Sequence, residues 1–394
     1  MQFQLKVQKI NLVIILCFII RSHPNIITQN FNFMFGVYRT FIHFGNDKVT
    51  QNLDIDLANN FTWIKNEFLE GRDISSAPSF KFEYDTNSTT DLFLFKEDLD
   101  IGTQSNFIRN FSHYISNTYI TSILPVKVKW CIGFAPKFED ENFSVVHQLY
   151  NMKAIEKKEF GFVLKQRGFN SNSEGTIYFG GFPESLIFNG TKATCKINPQ
   201  YSSWGCKLSK IIFNDSKVYL NSFYSYFNAN RREIFAPVDF LNFLEKDYLN
   251  KYIENGECEA IHFMEKYEIR CNLEVSKHLM DNMKFIFDNR IAFTLNLEEL
   301  LDCSLSSCTL LLQGNSNFQN VWVIGTALLS KYDVLFSYDD LSITFYGDID
   351  VRQSTKSQPA ILKILIYIEI ILSICMFVYN LLFYLLIMKS EYES

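Results

Sequence analysis

Short strand-like runs fill the chain from about residue 30 to 348 and constrain its fold more than any other feature. "TFIHFG", "DLFLF", "EFGFVL", "GTIYFGG" and "LSITFYG" alternate or stay apolar over a few residues, and Gly, Asn, Asp and Ser separate them. Such runs are typical of β-strands. Only "FSVVHQLYNMKAI", "PVDFLNFLEKDYLNKYI" and "TALLSKY" have the pattern of helices, and the second begins with proline, as helices often do. The sequence therefore predicts an all-β body with few helices.

Hydrophobic segments at both ends predict how the chain meets a membrane. Residues 1–24 carry two lysines and then an apolar run of signal-peptide size. Residues 364–388 are apolar over a length that spans a bilayer. We expect a polar linker at 349–363, a cytosolic tail at 389–394, and a type I single-pass protein whose body is lumenal or extracellular. An uncleaved N-terminal anchor is the alternative.

The cysteines and glycosylation sequons fit a secretory compartment. Six N-x-S/T sequons begin at Asn60, Asn87, Asn110, Asn142, Asn189 and Asn214. Seven cysteines lie between the hydrophobic ends, at positions 131, 195, 206, 258, 271, 303 and 308. No metal-ligand spacing occurs among them, so disulfides are expected, with Cys195 and Cys206 able to close a small loop. The odd count leaves one free thiol, for which Cys131 in an apolar strand is the candidate.

Composition and motifs exclude several functions. The net charge of -6 and the lack of a basic block argue against nucleic acid as a partner. The chain has no G-x-S-x-G, P-loop or G-x-G-x-x-G motif. We expect neither a cofactor nor a metal.

Several segments, in the right order, resemble the pepsin-like aspartic proteases over about residues 35–348. "YRTFIHFGNDKVTQNLDIDLANNFTWI" is similar to the opening strands and the D-T-G-S motif of that family, and "WVIGTALLSKYDVLFSYDDLSITFYG" to its closing segment. "WCIGFA" and "WVIGTA" also share W-x-I-G-x-A, a hint of two related halves. The resemblance implies a bilobal fold, with an N-terminal lobe at 30–185 and a C-terminal lobe at 186–348. It also implies a peptide or protein ligand in the cleft between the lobes.

The resemblance places Asp56 at the first catalytic aspartate. Trp63 falls on the family's tryptophan, Tyr84 on the flap tyrosine, and Asn59 on the serine of D-T-G-S, with Tyr84, Trp63 and Asn59 expected to contact the substrate. Hydrolysis of this kind needs two carboxylates that share one proton. The motif here is Asp-Leu-Ala-Asn, which lacks the threonine hydroxyl and the glycine.

The second catalytic aspartate falls on Asn228. Counting back from Pro237 and forward from Trp204 both lead there, and "NANRR" replaces D-T-G-T-S. Asp239 is the rival partner for Asp56, although the spacing after Pro237 favours a helix there.

Two functions of different kinds follow from the site. One is a catalytically impaired, peptide-binding pseudoprotease; the other is an active aspartic endopeptidase that works at acid pH. In a third possibility, the cleft has no role. The few residues between the signal segment and the first strand predict no inhibitory propeptide.

Overall fold

The computed structural model describes residues 26–351 apart from short gaps. The gaps are residues 35, 45–48, 59–61, 66–75, 86–87, 103–105, 117–119, 122–126, 129–130, 137–143, 168–172, 187, 189, 199–202, 214–215, 221–223, 264–265, 277–281, 305 and 316–320. The expected signal segment 1–24, the linker beyond residue 351, the membrane helix 364–388 and the tail 389–394 lie outside the described residues. No helix in the described part of the chain is long and apolar enough to cross a bilayer.

Strands dominate the first half of the described chain. They are β1 (Ile27–Met34), β2 (Val37–Phe44), β3 (Val49–Asp56), β4 (Trp63–Lys65), β5 (Ser79–Asp85), β6 (Ser88–Ile101), β7 (Asn106–Ser116), β8 (Ile120–Thr121), β9 (Lys127–Val128), β10 (Cys131–Gly133), β11 (Glu159–Leu164) and β12 (Ser173–Phe179). Helix α1 (Val145–Asn151) lies between β10 and β11. Buried and exposed residues alternate along β2, as expected of a strand with one face on the core.

The second half is also built mainly from strands. They are β13 (Thr191–Lys196), β14 (Gly205–Phe213), β15 (Lys217–Leu220), β16 (Tyr224–Phe227), β17 (Ile234–Ala236), β18 (Cys258–Phe263), β19 (Lys266–Asn272), β20 (Asn282–Phe287), β21 (Ile291–Asn296), β22 (Leu301–Cys303), β23 (Ser307–Leu310), β24 (Leu312–Asn315), β25 (Trp322–Ile324), β26 (Asp333–Ser337), β27 (Ser342–Gly347) and β28 (Asp350–Val351). The all-β prediction is confirmed.

Helices in the second half are short. They are α2 (Val238–Phe243), a π-helical turn (Leu244–Tyr248), α3 (Asn250–Glu254), α4 (Leu273–Ser276), a 3-10 turn (Leu297–Leu300) and α5 (Thr326–Leu329). Pro237 is the N-cap of α2, where its missing N–H leaves no helical hydrogen bond unmade. The predicted helices in "FSVVHQLYNMKAI", "PVDFLNFLEKDYLNKYI" and "TALLSKY" correspond to α1, to α2 through α3, and to α5.

Two large sheets contain most of the strands. The first has the order β13-β27-β26-β11-β12-β1-β2-β3-β10-β4-β7-β6-β5, and the second runs β22-β23-β19-β24-β17-β25-β16-β14-β20-β21-β28. Strands β13, β26 and β27 come from the second half of the chain but pair within the first sheet. The lobes expected at 30–185 and 186–348 therefore share a sheet, and their boundary stays a prediction.

An aromatic cluster fills the core where the two halves share strands. Phe160 on β11 is fully buried, and its ring centroid lies 4.6 Å from Phe134 and 4.7 Å from Phe336. Trp204 and Tyr338 each lie 5.8 Å from the same ring. Stacked, tilted and edge-on contacts of this kind add to the burial of apolar area. The cluster joins the segment after β10 to strands from both halves of the chain.

Three disulfides confirm the expectation from the cysteine count. Cys195 on β13 bonds Cys206 on β14, which links the two large sheets. The other two bonds, Cys258–Cys271 and Cys303–Cys308, each join neighbouring antiparallel strands. Cys131 on β10 is free and fully buried, as the sequence predicted.

Of the six sequons, the structure describes only Asn110. It is exposed on β7, and its positive φ of 56° is one that asparagine tolerates better than most residues. Asn60, Asn87, Asn142, Asn189 and Asn214 lie outside the described residues. Glycosylation stays a prediction.

Phe160→Ala tests the shared aromatic core. Removing a fully buried ring should lower the free energy of unfolding by about 3–5 kcal/mol, because the cavity cannot collapse completely. Urea unfolding of the purified chain, followed by tryptophan fluorescence, measures the change. Phe41→Ala is the control: that ring is 44% exposed, and its loss should change stability by only about 0.5–1 kcal/mol. Equal effects would contradict the placement of Phe160.

Candidate active site

The first half-site lies at the end of β3. Strand β10 runs parallel to β3, with Gly133 in register with Asp56. Asp56 is fully buried, and its Oδ1 accepts a hydrogen bond from the Ala58 N–H at 2.8 Å. Its carbonyl oxygen accepts another from the Phe134 N–H at 2.8 Å. The carboxylate is therefore held by the loop that follows it, and the Asp56 backbone is held by the segment that follows β10.

The second half-site repeats this arrangement at the end of β16. Strand β25 runs parallel to β16, with Ile324 in register with Phe227. Asn228 follows Phe227 and is 2% exposed. Its Oδ1 accepts a hydrogen bond from the Asn230 N–H at 2.7 Å, and its own N–H donates to the Ile324 carbonyl at 2.9 Å.

The two half-sites share one local geometry. In each, a buried strand-end side chain accepts a hydrogen bond from the N–H two residues further on, which closes a tight loop. In each, the flanking parallel strand comes from a W-x-I-G-x-A segment. Asn228 occupies in the second unit the place that Asp56 occupies in the first. The residues differ in chemistry, because an amide carries neither the charge nor the proton of a carboxylic acid.

Apolar side chains replace the hydroxyls that the family motif would place in these loops. Leu57 and Ala229 are fully buried, and Ala58 is 6% exposed. Neither Leu57 nor Ala229 can donate a side-chain hydrogen bond to the opposite loop. Asn230 is also buried, and neither atom of its amide group has a hydrogen-bond partner in the described part of the chain. Each loop keeps one hydrogen bond to the side-chain oxygen of Asp56 or Asn228 but lacks the hydroxyl of the family motif.

The turn between β1 and β2 connects the first half of the chain to the second half-site. The Tyr38 N–H donates to the Ala229 carbonyl at 3.2 Å. The hydroxyl of Thr326, at the start of α5, donates to the Gly36 carbonyl at 2.6 Å. Gly36 has a φ of 77°, and a Cβ there would collide with the Arg232 side chain. Glycine is required at this turn for both reasons.

The carbonyl of Phe134 receives two hydrogen bonds from distant segments. Trp204 donates through Nε1 at 2.5 Å, and Tyr338 through its hydroxyl at 2.8 Å. Burial raises the pKa of the Tyr338 hydroxyl above its usual range, so it stays a donor at physiological and acid pH. Because the Phe134 N–H bonds Asp56, these contacts fix the Asp56 backbone to the shared core.

Cys131 lies in register with Asp54, one strand over from the first half-site. Burial raises the pKa of its thiol well above the usual value, and the charges of Asp56 and Asp54 act in the same direction. The thiol therefore stays protonated and inert in the folded protein.

Two arginines follow the second loop. Arg231 is 8% exposed, its guanidinium lies 4.5 Å from the Phe235 ring centroid, and its carbonyl accepts a hydrogen bond from the Thr326 N–H at 2.6 Å. Arg232 forms an ion pair with Asp302 at 3.0 Å. Burial lowers the pKa of the Arg231 guanidinium, and the carboxylate of Glu233 acts in the opposite direction.

The remaining predicted site residues are Trp63, Tyr84, Asn59 and the rival partner Asp239. Trp63 is buried on β4, beside Cys131. Tyr84 lies on β5, but its side chain is outside the description, and Asn59 falls in a gap. Asp239 is exposed in the first turn of α2, whereas Asn228 is buried directly after the end of β16. The rival pairing of Asp56 with Asp239 gains no support from this position.

Sequence reasoning missed the contacts of Tyr38, Thr326 and Tyr338. The repeat did contain a signal for Thr326, which stands in "WVIGTA" where Phe134 stands in "WCIGFA". Both residues join their half-site to the other half of the chain.

A comparison with protein-family models matches residues 76–346 to the eukaryotic aspartyl proteases. The chain belongs to this family. No curated protein matches the chain. The matched range includes Asn228 but begins after Asp56. Membership implies a pepsin-like domain with a peptide-binding cleft, in agreement with the resemblance seen in the sequence.

Thr326→Val tests the contact between the β1–β2 turn and the second half-site. The change keeps the side-chain shape but leaves the buried Gly36 carbonyl without its donor. We expect a loss of about 1–3 kcal/mol in the free energy of unfolding, measured by urea titration. Thr326→Ser keeps the hydroxyl and should stay much closer to the wild type. Equal losses in the two variants would show that the hydroxyl contributes nothing.

The buried thiol of Cys131 predicts a pH effect. Its pKa is raised in the folded state, so the unfolded chain releases this proton first as pH rises. Its contribution to stability is therefore complete below about pH 8.5, the usual thiol pKa, and is lost above it. At pH 8, iodoacetamide should leave Cys131 unmodified in the folded chain and alkylate it in urea, as judged by peptide mass spectrometry. Rapid alkylation of the folded chain would contradict this.

Proposed function

We propose that this protein is a catalytically impaired aspartyl protease that binds peptides without cleaving them. The observation that carries the proposal is Asn228, which stands at the second strand end with the hydrogen-bond geometry that Asp56 has at the first. The domain's family supplies the ligand class, a peptide or protein segment.

The chemistry explains why one carboxylate is insufficient. An ionised carboxylate must accept a proton from the attacking water while a protonated partner polarises the scissile carbonyl. The Asn228 amide can donate a hydrogen bond but cannot take up or release a proton near neutral or acid pH. Asn228 therefore cannot be the partner with which Asp56 would share one proton.

The loops around the two positions also favour lost catalysis. Leu57 and Ala229 are buried without hydroxyls, and the buried amide of Asn230 has no partner in the described chain. Catalysis depends on polar groups that are oriented before the reaction begins. These loops orient backbone atoms but offer few side-chain donors.

The scaffold favours retained binding. The Cys195–Cys206 disulfide, the sheet shared by the two halves and the hydrogen bonds to Phe134 and Gly36 all join the parts of the chain that carry the half-site loops. A rigid loop pair loses little conformational entropy when a ligand binds.

We further propose a membrane-anchored, type I protein whose aspartyl protease domain is lumenal or extracellular. The support is in the sequence: an apolar segment at 364–388 and a signal-like segment at 1–24. Protease protection of one epitope tag inserted after residue 24 and another at the C-terminus, in intact and permeabilised microsomes, tests this topology. A tagged C-terminus protected together with the domain would refute it.

Acid proteolysis tests the impaired site. We expect the purified full chain to cleave a denatured protein substrate between pH 2.5 and 6 no faster than its Asp56→Asn variant does. Asn228→Asp supplies the second carboxylate, so this variant should gain cleavage that is detectable by mass spectrometry of the products.

The matched control is the double variant Asp56→Asn with Asn228→Asp. It again has a single carboxylate, and it should lose the gained activity. Cleavage by the wild-type chain that Asp56→Asn abolishes would overturn the impaired-site proposal and establish an active endopeptidase.

A further inference from the structure

Arg231 is a largely buried cation at the second half-site, and it forms no ion pair within the described residues. It is 8% exposed, and its Nε has no hydrogen-bond acceptor in the described residues. Within the same residues, no carboxylate lies at ion-pairing distance from its guanidinium. One face of the guanidinium rests against the Phe235 ring at 4.5 Å. This contact fixes the group but does not satisfy its N–H donors.

Burial of a charge in this way is unfavourable. An arginine keeps its proton even when buried, so it cannot relieve the penalty by becoming neutral. Such groups are normally paired with a carboxylate or with several hydrogen-bond acceptors. The neighbouring amide of Asn230 is also buried without a partner in the described chain. Together, these residues leave the second loop short of acceptors.

The next residue, Arg232, is paired with a carboxylate, which is the usual way in which the charge of an arginine is compensated. Arg232 forms contacts of 3.0 and 3.1 Å with the carboxylate of Asp302. Arg232 therefore forms an ion pair within the described residues, whereas Arg231 forms none there, although the carboxylate of Glu233 also acts on its charge. This difference makes the pair a matched test.

The position of Arg231 connects it to the ligand. It follows Asn228 by three residues, and its backbone is tied to α5 through the Thr326 N–H. Arg231 is the charged residue nearest to Asn228 in the sequence. A guanidinium offers paired donors that match the two oxygens of a carboxylate.

We propose that Arg231 binds a carboxylate of the peptide ligand, so that the site selects acidic peptides. This inference rests on the proposed peptide-binding function. The carboxylate comes either from an Asp or Glu side chain or from a free C-terminus, and both would bind the same donors.

Three pools of fluorescein-labelled decapeptides separate the possibilities. The first is amidated at the C-terminus and contains one central Glu; the second is identical but carries Gln; the third carries Gln and a free C-terminus. Fluorescence anisotropy with the purified full chain measures binding of each pool, at low and at high salt.

We expect the Glu pool, the free C-terminus pool or both to bind at least about tenfold more tightly than the amidated Gln pool. High salt should reduce this preference. Arg231→Gln should abolish it, Arg231→Lys should keep part of it, and Arg232→Gln should leave it unchanged. The comparison of pools on the wild-type chain needs no variant, so it stands even if Arg231→Gln fails to fold.

The remaining outcomes separate the two proposals. Equal binding of all three pools would overturn the role of Arg231 and leave peptide binding intact. A preference that survives in Arg231→Gln but disappears in Arg232→Gln would also overturn it. If no pool binds, the proposed peptide-binding function fails, and the inference fails with it.

Discussion

The pairing of each half-site strand with a parallel neighbour is the constraint on which the rest of the site depends. Strands β3 and β10, and likewise β16 and β25, run side by side in the interior. Every backbone polar group there must be bonded within the protein, because water is absent. The loops after β3 and β16 therefore fold back so that a side-chain oxygen of Asp56 or Asn228 accepts an N–H. This demand is met equally by a carboxylate and by an amide, so the backbone of the loop does not depend on which of the two residues is present.

The two halves of the chain are joined by a few buried polar contacts set into an aromatic core. The Phe134 carbonyl accepts from Trp204 and Tyr338, and the Gly36 carbonyl accepts from Thr326. These hydrogen bonds are short and buried, so the loss of one donor leaves a buried carbonyl oxygen without a hydrogen-bond partner. Each bond involves a residue next to a half-site loop. Hydrogen bonds therefore connect the aromatic core directly to the half-site loops, and we expect a mutation in either part to affect the other.

Charge is distributed unequally between the half-sites. The first keeps a buried carboxylate with a protonated thiol one strand away. The second has a neutral amide followed by two arginines, of which only Arg232 is paired in the described residues. A proteolytic site of this family would have a carboxylate in both half-sites, whereas here the second has an amide. This difference supports the proposed binding of a peptide over the activation of water.

The sequence by itself determined the fold class, the order of the motifs and the identity of the residues at each strand end. Alternation along strands such as β2 and the W-x-I-G-x-A repeat are local patterns, and local patterns can be recognised directly in the amino-acid sequence. It also pointed to Cys131 as the free thiol, since the other six cysteines could form pairs. The tertiary structure decided which distant groups meet. That Thr326 reaches Gly36, that Cys195 bonds Cys206 across two sheets, and that Arg231 is buried while Arg232 is paired all depend on how separate segments pack. Neither spacing nor composition encodes those distances, because they arise only when the two halves close around a shared core.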